Sequence, residues 1–275
     1  MSKDLSQIEF YFPSGEIKDK NEIVDSIVSL MKEKKSTDYS GYADVDLLKQ
    51  GLLDHVGNGD IGQYKEISEE QKLEIEKTIS ETIEKCNDKL SIPTKNFVFV
   101  FPWLSTKEEG RIFGGSYGFT PYSCVFHLFI DLGQYTKKTV ENTVVHELNH
   151  TIYCYHHYDD FNNYTLIDEM IMEGLAENFR EQILGGSSVP WAIALTKQDA
   201  LDILNAINEE TLYTRDQNTI KGVLFGNDKY QRWTGYSIGY WLVREFMKDN
   251  PNLSWNEMMK MSSRKILQII DKKKA

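Results

Sequence analysis

The spacing of apolar and polar positions divides the chain into three stretches. Up to about residue 90, an opening strand-like run, IEFYF (8–12), is followed by helical spacing. Apolar residues in NEIVDSIVSLMKEK (21–34) and in SEEQKLEIEKTISETIEKCNDKL (68–90) recur every three to four positions, as on one face of a helix. The second helix has a legible start, because Ser68 and Gln71 stand in the spacing of a capping box. HVGNGDIG (55–62) reads as a loop; it has neither the lysine nor the following apolar helix face of a phosphate-cradling loop. Next come two strand-like runs, NFVFVFPWL (96–104) and CVFHLFIDL (124–132), with the glycine-bearing RIFGGSYGFTPY (111–122) between them. His127, flanked by phenylalanine and leucine in the second run, reads as a core residue. From about Thr139 the helical period returns, broken at LGGSSVPW (184–191) and at KGVLFGNDKYQRWTG (221–235).

The pattern predicts two parts: a mainly helical region over 1–90 whose role the sequence does not define, and a domain over 91–275 with a small mixed sheet and a mostly helical C-terminal half. With 275 residues and 40% hydrophobic content, a folded core is expected. A net charge of −11 speaks against a nucleic-acid partner, which needs clustered lysine and arginine. No run of eighteen apolar residues is present and the N-terminus lacks a secretory pattern, so no membrane partner and a cytoplasmic location are the expectations. The three cysteines, Cys86, Cys124 and Cys154, form no CxxC pair and predict buried thiols, not a thiolate metal site. Oligomeric state is not legible.

The candidate chemistry lies in VVHELNHTIYCYHH (144–157), which holds four of the six histidines. HELNH (146–150) is an HExxH motif. Residues four apart on a helix are separated by about 40° around its axis, so His146 and His150 can reach one ion, most simply Zn2+. Glu147 projects from the next position and is placed to take a proton from water. Val140, Val144, Leu148 and Ile152 form an apolar column that would bury another face of the helix.

A third ligand can be sought in two places. His156 has the offset used in HExxHxxGxxH, but that pattern needs a turn at the position occupied here by Tyr153, where positive φ is costly for a bulky side chain. His156 and His157 read instead as histidines at a helix C-terminus. IDEMIMEGLAENF (167–179) carries Glu169, Glu173 and Glu177 on one helical face. Such a stripe is commonly a solvated face. Gly174 and Ala176, however, are small enough to let another helix approach, as delivery of a carboxylate to the histidine pair requires. Glu173 is therefore the preferred ligand, Glu169 the reserve, and Glu177 the candidate acceptor of an imidazole N–H.

With these residues in view, the sequence resembles a family of bacterial predicted zinc-dependent proteases, catalogued as a domain of unknown function and similar to gluzincins such as thermolysin. The resemblance covers roughly residues 96–250 and is carried by FGGSYGFTP (113–121), HELNHTIY (146–153), EGLAENF (173–179), PWAIAL (190–195) and GYSIGYWLV (235–243). It implies an α+β zincin-like fold, with the sheet beside the HExxH helix. It also implies His146, His150 and Glu173 as zinc ligands, Glu147 as general base, and Glu177 as the acidic residue four after the ligand glutamate. The oxyanion-stabilising histidine of thermolysin-like enzymes has no counterpart after residue 157, so Tyr236 and Tyr240 are candidates for that role, with helix packing as the competing explanation. The glycines of GGSYG would suit either an edge strand that pairs with extended peptide or a bulged strand. The expected activity is hydrolysis of peptide bonds in a peptide or protein substrate. The alternative is a zinc-binding regulatory or interaction protein with a zincin fold and little proteolytic activity.

Overall fold

The structure, a computed structural model, describes residues 5–33, 45–157, 164–186 and 188–274, without the side chains of 270–274. These residues form two compact units, one comprising 1–88 and 92–151, the other 89–91 and 152–275.

The first unit is built on a four-stranded mixed sheet of order β1-β2-β4-β3. Strands β1 (Ser6–Phe10), β2 (Asn96–Pro102) and β4 (Val125–Ile130) run parallel, and β3 (Ser116–Tyr122) pairs antiparallel with β4 at one edge. The sheet thus takes strands from both sides of residue 90. The opening strand lies two residues earlier than IEFYF suggested. Between β2 and β4 lie helix α4 (Lys107–Phe113), which the sequence reading did not foresee, and β3, an edge strand with a register shift between Phe119 and Tyr122, so that both readings of the GGSYG segment apply. Helices α1 (Lys20–Glu33) and α2 (Val45–His55) bury Ile23, Ile27, Leu48 and Leu52 in one cluster with Phe99, Phe101 and Phe129 of the sheet. Helix α2 went unread in the sequence, and the expected loop at 55–62 includes a short 3-10 turn at Ile61–Gln63.

Helix α3 (Glu69–Asn87) starts as its residues dictate: Ser68 and Gln71 form both halves of a capping box. Helix α5 (Lys137–His156) carries the HExxH motif. Its first turn is closed by Thr136 and Thr139, each of whose hydroxyls accepts the other's backbone N–H. Val140, Val144, Leu148 and Ile152 are all buried, the apolar column expected from their spacing. Hydrogen bonds fix the helix against the sheet, Thr143 Oγ1 lying 3.0 Å from Ser116 Oγ and Thr151 donating to Asn96 at 3.0 Å. Ion pairs Lys85–Glu141 (3.0 Å) and Lys137–Glu81 (3.2 Å) bridge α3 and α5. The helix continues through Tyr153 to His156, without the turn that a ligating His156 would need.

The second unit is helical: α6 (Leu166–Leu184), α7 (Lys197–Ala206), the short α8 (Glu209–Leu212), α9 (Gln217–Phe225), α10 (Thr234–Asp249), the short α11 (Trp255–Met258) and α12 (Ser263–Lys274). α6 packs most extensively on α10, which also meets α7, α9 and α12. Gly174 of α6 and Gly239 of α10 mark the crossing: a Cβ on Gly174 would lie 2.1 Å from the Gly239 carbonyl oxygen, and one on Gly239 1.7 Å from that of Met170. The small residues of α6 therefore do admit a second helix, but the neighbour Gly174 makes room for is α10, not the histidine helix. Among the described residues, no helix is long and apolar enough to cross a membrane.

Candidate metal centre

His146 and His150 project from consecutive turns of α5, with their Nε2 atoms 2.9 Å apart. His150 is buried and His146 half-buried. Glu173, on the second turn of α6, is only 8% exposed. One ligand atom from each of these three residues lies within 4.8 Å of the others. Metal–ligand bonds of about 2.0–2.2 Å would set such atoms roughly 3–4 Å apart around one ion, and two imidazoles with one carboxylate are a donor set suited to zinc. The three residues thus fit a zinc ion by chemistry and by proximity.

Glu147 is 5% exposed, and its surroundings belong to β3. Thr120 Oγ1 donates to Glu147 Oε2 at 2.7 Å and also lies 3.2 Å from the Glu147 carbonyl oxygen. Two residues back on the same strand, Gly118 leaves the space that the carboxylate occupies; a Cβ there would stand 2.3 Å from Glu147 Cγ. The glycine-bearing segment thus works on Glu147 through its missing side chain and its threonine.

Glu177, at 1% exposure, is not part of a solvated stripe, and neither is Glu173; of the three glutamates only Glu169 is half-buried. One Glu177 oxygen accepts from Arg180 Nε at 2.8 Å and the other from Trp191 Nε1 at 2.7 Å. Arg180 is itself buried, and the pairing offsets the desolvation that either charge alone would suffer. Trp191 is held in turn by α10. Ser237 Oγ donates to the Trp191 carbonyl and accepts the Leu195 N–H, both at 3.1 Å. Three segments that look unrelated in sequence, EGLAENF, PWAIAL and GYSIGYWLV, therefore converge on one carboxylate. Thr120, Gly118, Arg180 and Trp191 were not anticipated individually, although Gly118 and Thr120 lie in FGGSYGFTP, Trp191 lies in PWAIAL and Arg180 directly follows EGLAENF.

The two tyrosines separate. Tyr240 is buried and its hydroxyl is engaged with Glu181 (3.0 Å), Ser188 (2.8 Å) and Arg244. Burial pushes its pKa up, and the Glu181 charge adds to this against the lowering effect of the Ser188 hydrogen bond, so the phenol stays protonated. Tyr236 is half-buried, with its ring 6.0 Å from that of Phe225.

Over residues 75–268 the sequence matches the family described as "Predicted Zn-dependent protease (DUF2268)". The chain belongs to this family. Its match takes in the whole of α5 and α6 and begins within α3, leaving β1, α1 and α2 outside. The chain is also 21% identical over 251 residues to the uncharacterized protein YjfC of Bacillus subtilis, an alignment covering 85% of this chain and 82% of that protein. No solved structure matches.

Proposed function

We propose that the protein is a zinc-dependent peptidase with a zincin-like fold, in which His146, His150 and Glu173 hold the metal and Glu147 is the general base. The observation that carries this reading is the proximity of two imidazoles and a buried carboxylate, beside a second carboxylate that is oriented by a hydrogen bond. Zinc, when bound, supplies Lewis acidity toward a carbonyl and toward water. Glu147 takes the proton from the attacking water and passes it to the leaving amine. Thr120 holds the carboxylate in place for both transfers, and Gly118 gives it room. β3 is an edge strand, so its free side can pair with an extended peptide. Tyr236 is the oxyanion donor in this proposal, because the Tyr240 hydroxyl already serves Glu181 and Ser188. Glu177 keeps the role of imidazole acceptor, since each of its oxygens has a further lone pair beyond those given to Arg180 and Trp191.

A peptide-library assay paired with metal analysis tests the reading. Glu147→Gln is expected to retain zinc while turnover falls at least about a hundred-fold. Hydrolysis at the wild-type rate by this variant would remove Glu147 from the mechanism.

A further inference from the structure

We propose that the residues ahead of the family match serve Glu147, and that they act through His55, a positioning residue at the end of α2 that holds β3 from the face opposite the carboxylate. The inference rests on Glu147 as general base. It extends that reading to a part of the chain outside the family match, which begins at residue 75. All the residues concerned belong to the first unit.

Successive residues of a strand face opposite sides, and β3 uses both. Ser116, Gly118 and Thr120 turn to α5: the Ser116 hydroxyl lies 3.0 Å from that of Thr143, Gly118 leaves the space for Glu147, and Thr120 donates to its carboxylate. Tyr117 and Phe119, the two neighbours of Gly118, turn to α2 and meet one residue there. The ring of His55 stacks on Phe119 at 4.8 Å between centroids and on Phe129 of β4 at 5.3 Å. Its Nδ1 lies 3.2 Å from the Tyr117 hydroxyl, which itself donates to the His55 carbonyl oxygen. The phenol has a single proton, so in the return contact Nδ1–H is the donor and the imidazole is held as one tautomer. The Tyr117 bond also supplies a partner in the last turn of α2, where a helix leaves its carbonyls unmatched. Burial lowers the pKa of His55, against the charge of Asp54, and so favours the neutral ring that this arrangement uses.

His55 is itself fixed from behind by the glycine-bearing HVGNGDIG (55–62). The Leu104 N–H donates to the Val56 carbonyl oxygen at 2.6 Å, and the Leu104 carbonyl oxygen accepts the Gly59 N–H at 2.8 Å. A Cβ at Gly57 would stand 2.3 Å from the Leu104 carbonyl oxygen, and one at Gly59 2.4 Å from that of Ser105, so glycine is required for this approach. Leu48 and Leu52, two turns and one turn back on α2, are buried in one cluster with Phe99, Phe101 and Phe129. His55 therefore stands on a firm support. By touching the residues before and after Gly118, it fixes the strand where Glu147 packs against it. Leucine could fill the same volume, but it would offer Tyr117 no N–H and Phe119 no flat face. Freedom gained by Gly118 and Thr120 would pass through the Thr120–Glu147 hydrogen bond to the carboxylate, where small misplacement is costly to a proton transfer.

The test uses the full chain and has one arm that needs neither metal nor turnover. In His55→Ala, amide hydrogen exchange at residues 118–120 should quicken at least about ten-fold relative to exchange in β2, a local loss of protection and not an opening of the whole fold. In the kinetic arm, kcat on a responsive peptide should fall about ten-fold with KM nearly unchanged. His55→Phe, which restores the flat ring without the N–H, should recover part of that loss. In a Thr120→Val background, His55→Ala should cost at most about two-fold more, because the route to Glu147 is already cut. A merely structural contribution would multiply with that of Thr120. Should His55→Ala fail to fold, His55→Phe is carried through the same exchange measurement and the same cycle. Unchanged exchange in β3, or losses that simply multiply, would overturn the inference. Quickened exchange in β3 together with wild-type turnover by Glu147→Gln would instead remove the general base on which it rests.

Discussion

Glu147 needs two things from its neighbours, room and a fixed orientation, and both come from one strand. Gly118 supplies the first by having no side chain, and Thr120 the second through a 2.7 Å hydrogen bond. A hydrogen bond to a charged acceptor contributes about 1.5–3 kcal/mol, enough to select one carboxylate rotamer over its competitors. Thr120→Val keeps the shape of the side chain and deletes the hydroxyl. Its kcat is expected to fall about ten-fold with KM nearly unchanged, and Thr120→Ser should recover most of the loss. If serine and valine behave alike, Thr120 contributes packing rather than position. Glu177 makes a parallel case on α6. If it accepts an N–H from a ligand imidazole, Glu177→Gln should weaken zinc affinity by about 10–100-fold in competition with a chelator. Unchanged affinity would confine Glu177 to its partners Arg180 and Trp191.

At the scale of elements, the regular features were legible and the tertiary ones were not. The capping box at Ser68, the apolar column of α5 and the end of α6 before Gly185 all follow from local chemistry, and each is present. The same signature, Thr106 followed by Glu109, opens α4, but the seven residues of that helix are too few for an apolar period to mark it. The contacts that give the site its character join distant residues, Thr120 to Glu147 and Trp191 to Glu177, and no local period encodes them. The α6–α10 crossing is of this kind as well. Gly174 announced a close approach but not its partner. Since a Cβ at residue 239 would fall 1.7 Å from the Met170 carbonyl oxygen, Gly239→Ala must push the helices apart or bend one of them. A loss of about 1–3 kcal/mol is expected in urea denaturation, as for other overpacked cores. An unchanged midpoint would mean that the two helices can separate freely at this point.

For the molecule as a whole, acid is expected to act first through histidines buried in the aromatic cluster of the sheet. His127 lies on β4 among Phe99, Phe101, Phe119 and Phe129, with its Nε2 buried and without a hydrogen-bond partner among the described residues. Burial, reinforced slightly by His55, holds its pKa down at about 3 against an ordinary 6.5. Burial lowers the pKa of His55 as well. Between those two values the unfolded chain binds a proton at residue 127 that the folded chain refuses. The stability conferred by the neutral ring is therefore complete above about pH 7 and drains away as pH falls, at up to about 1.4 kcal/mol per pH unit for one such group. Carboxylates enter later. Glu181 resists protonation below the ordinary carboxylate range because, against the effect of its burial, Ser188, Arg244 and Tyr240 hydrogen-bond to its charged form. His127→Phe keeps an aromatic ring in an aromatic cage and removes the titrating group. Its denaturation free energy should decline less steeply than that of the wild type between pH 6.5 and 4.5, by about 1 kcal/mol per pH unit. Both proteins would be measured with chelator present, so that proton release on metal binding is absent from each curve. Parallel curves would show that the ring of His127 reaches solvent before the fold opens.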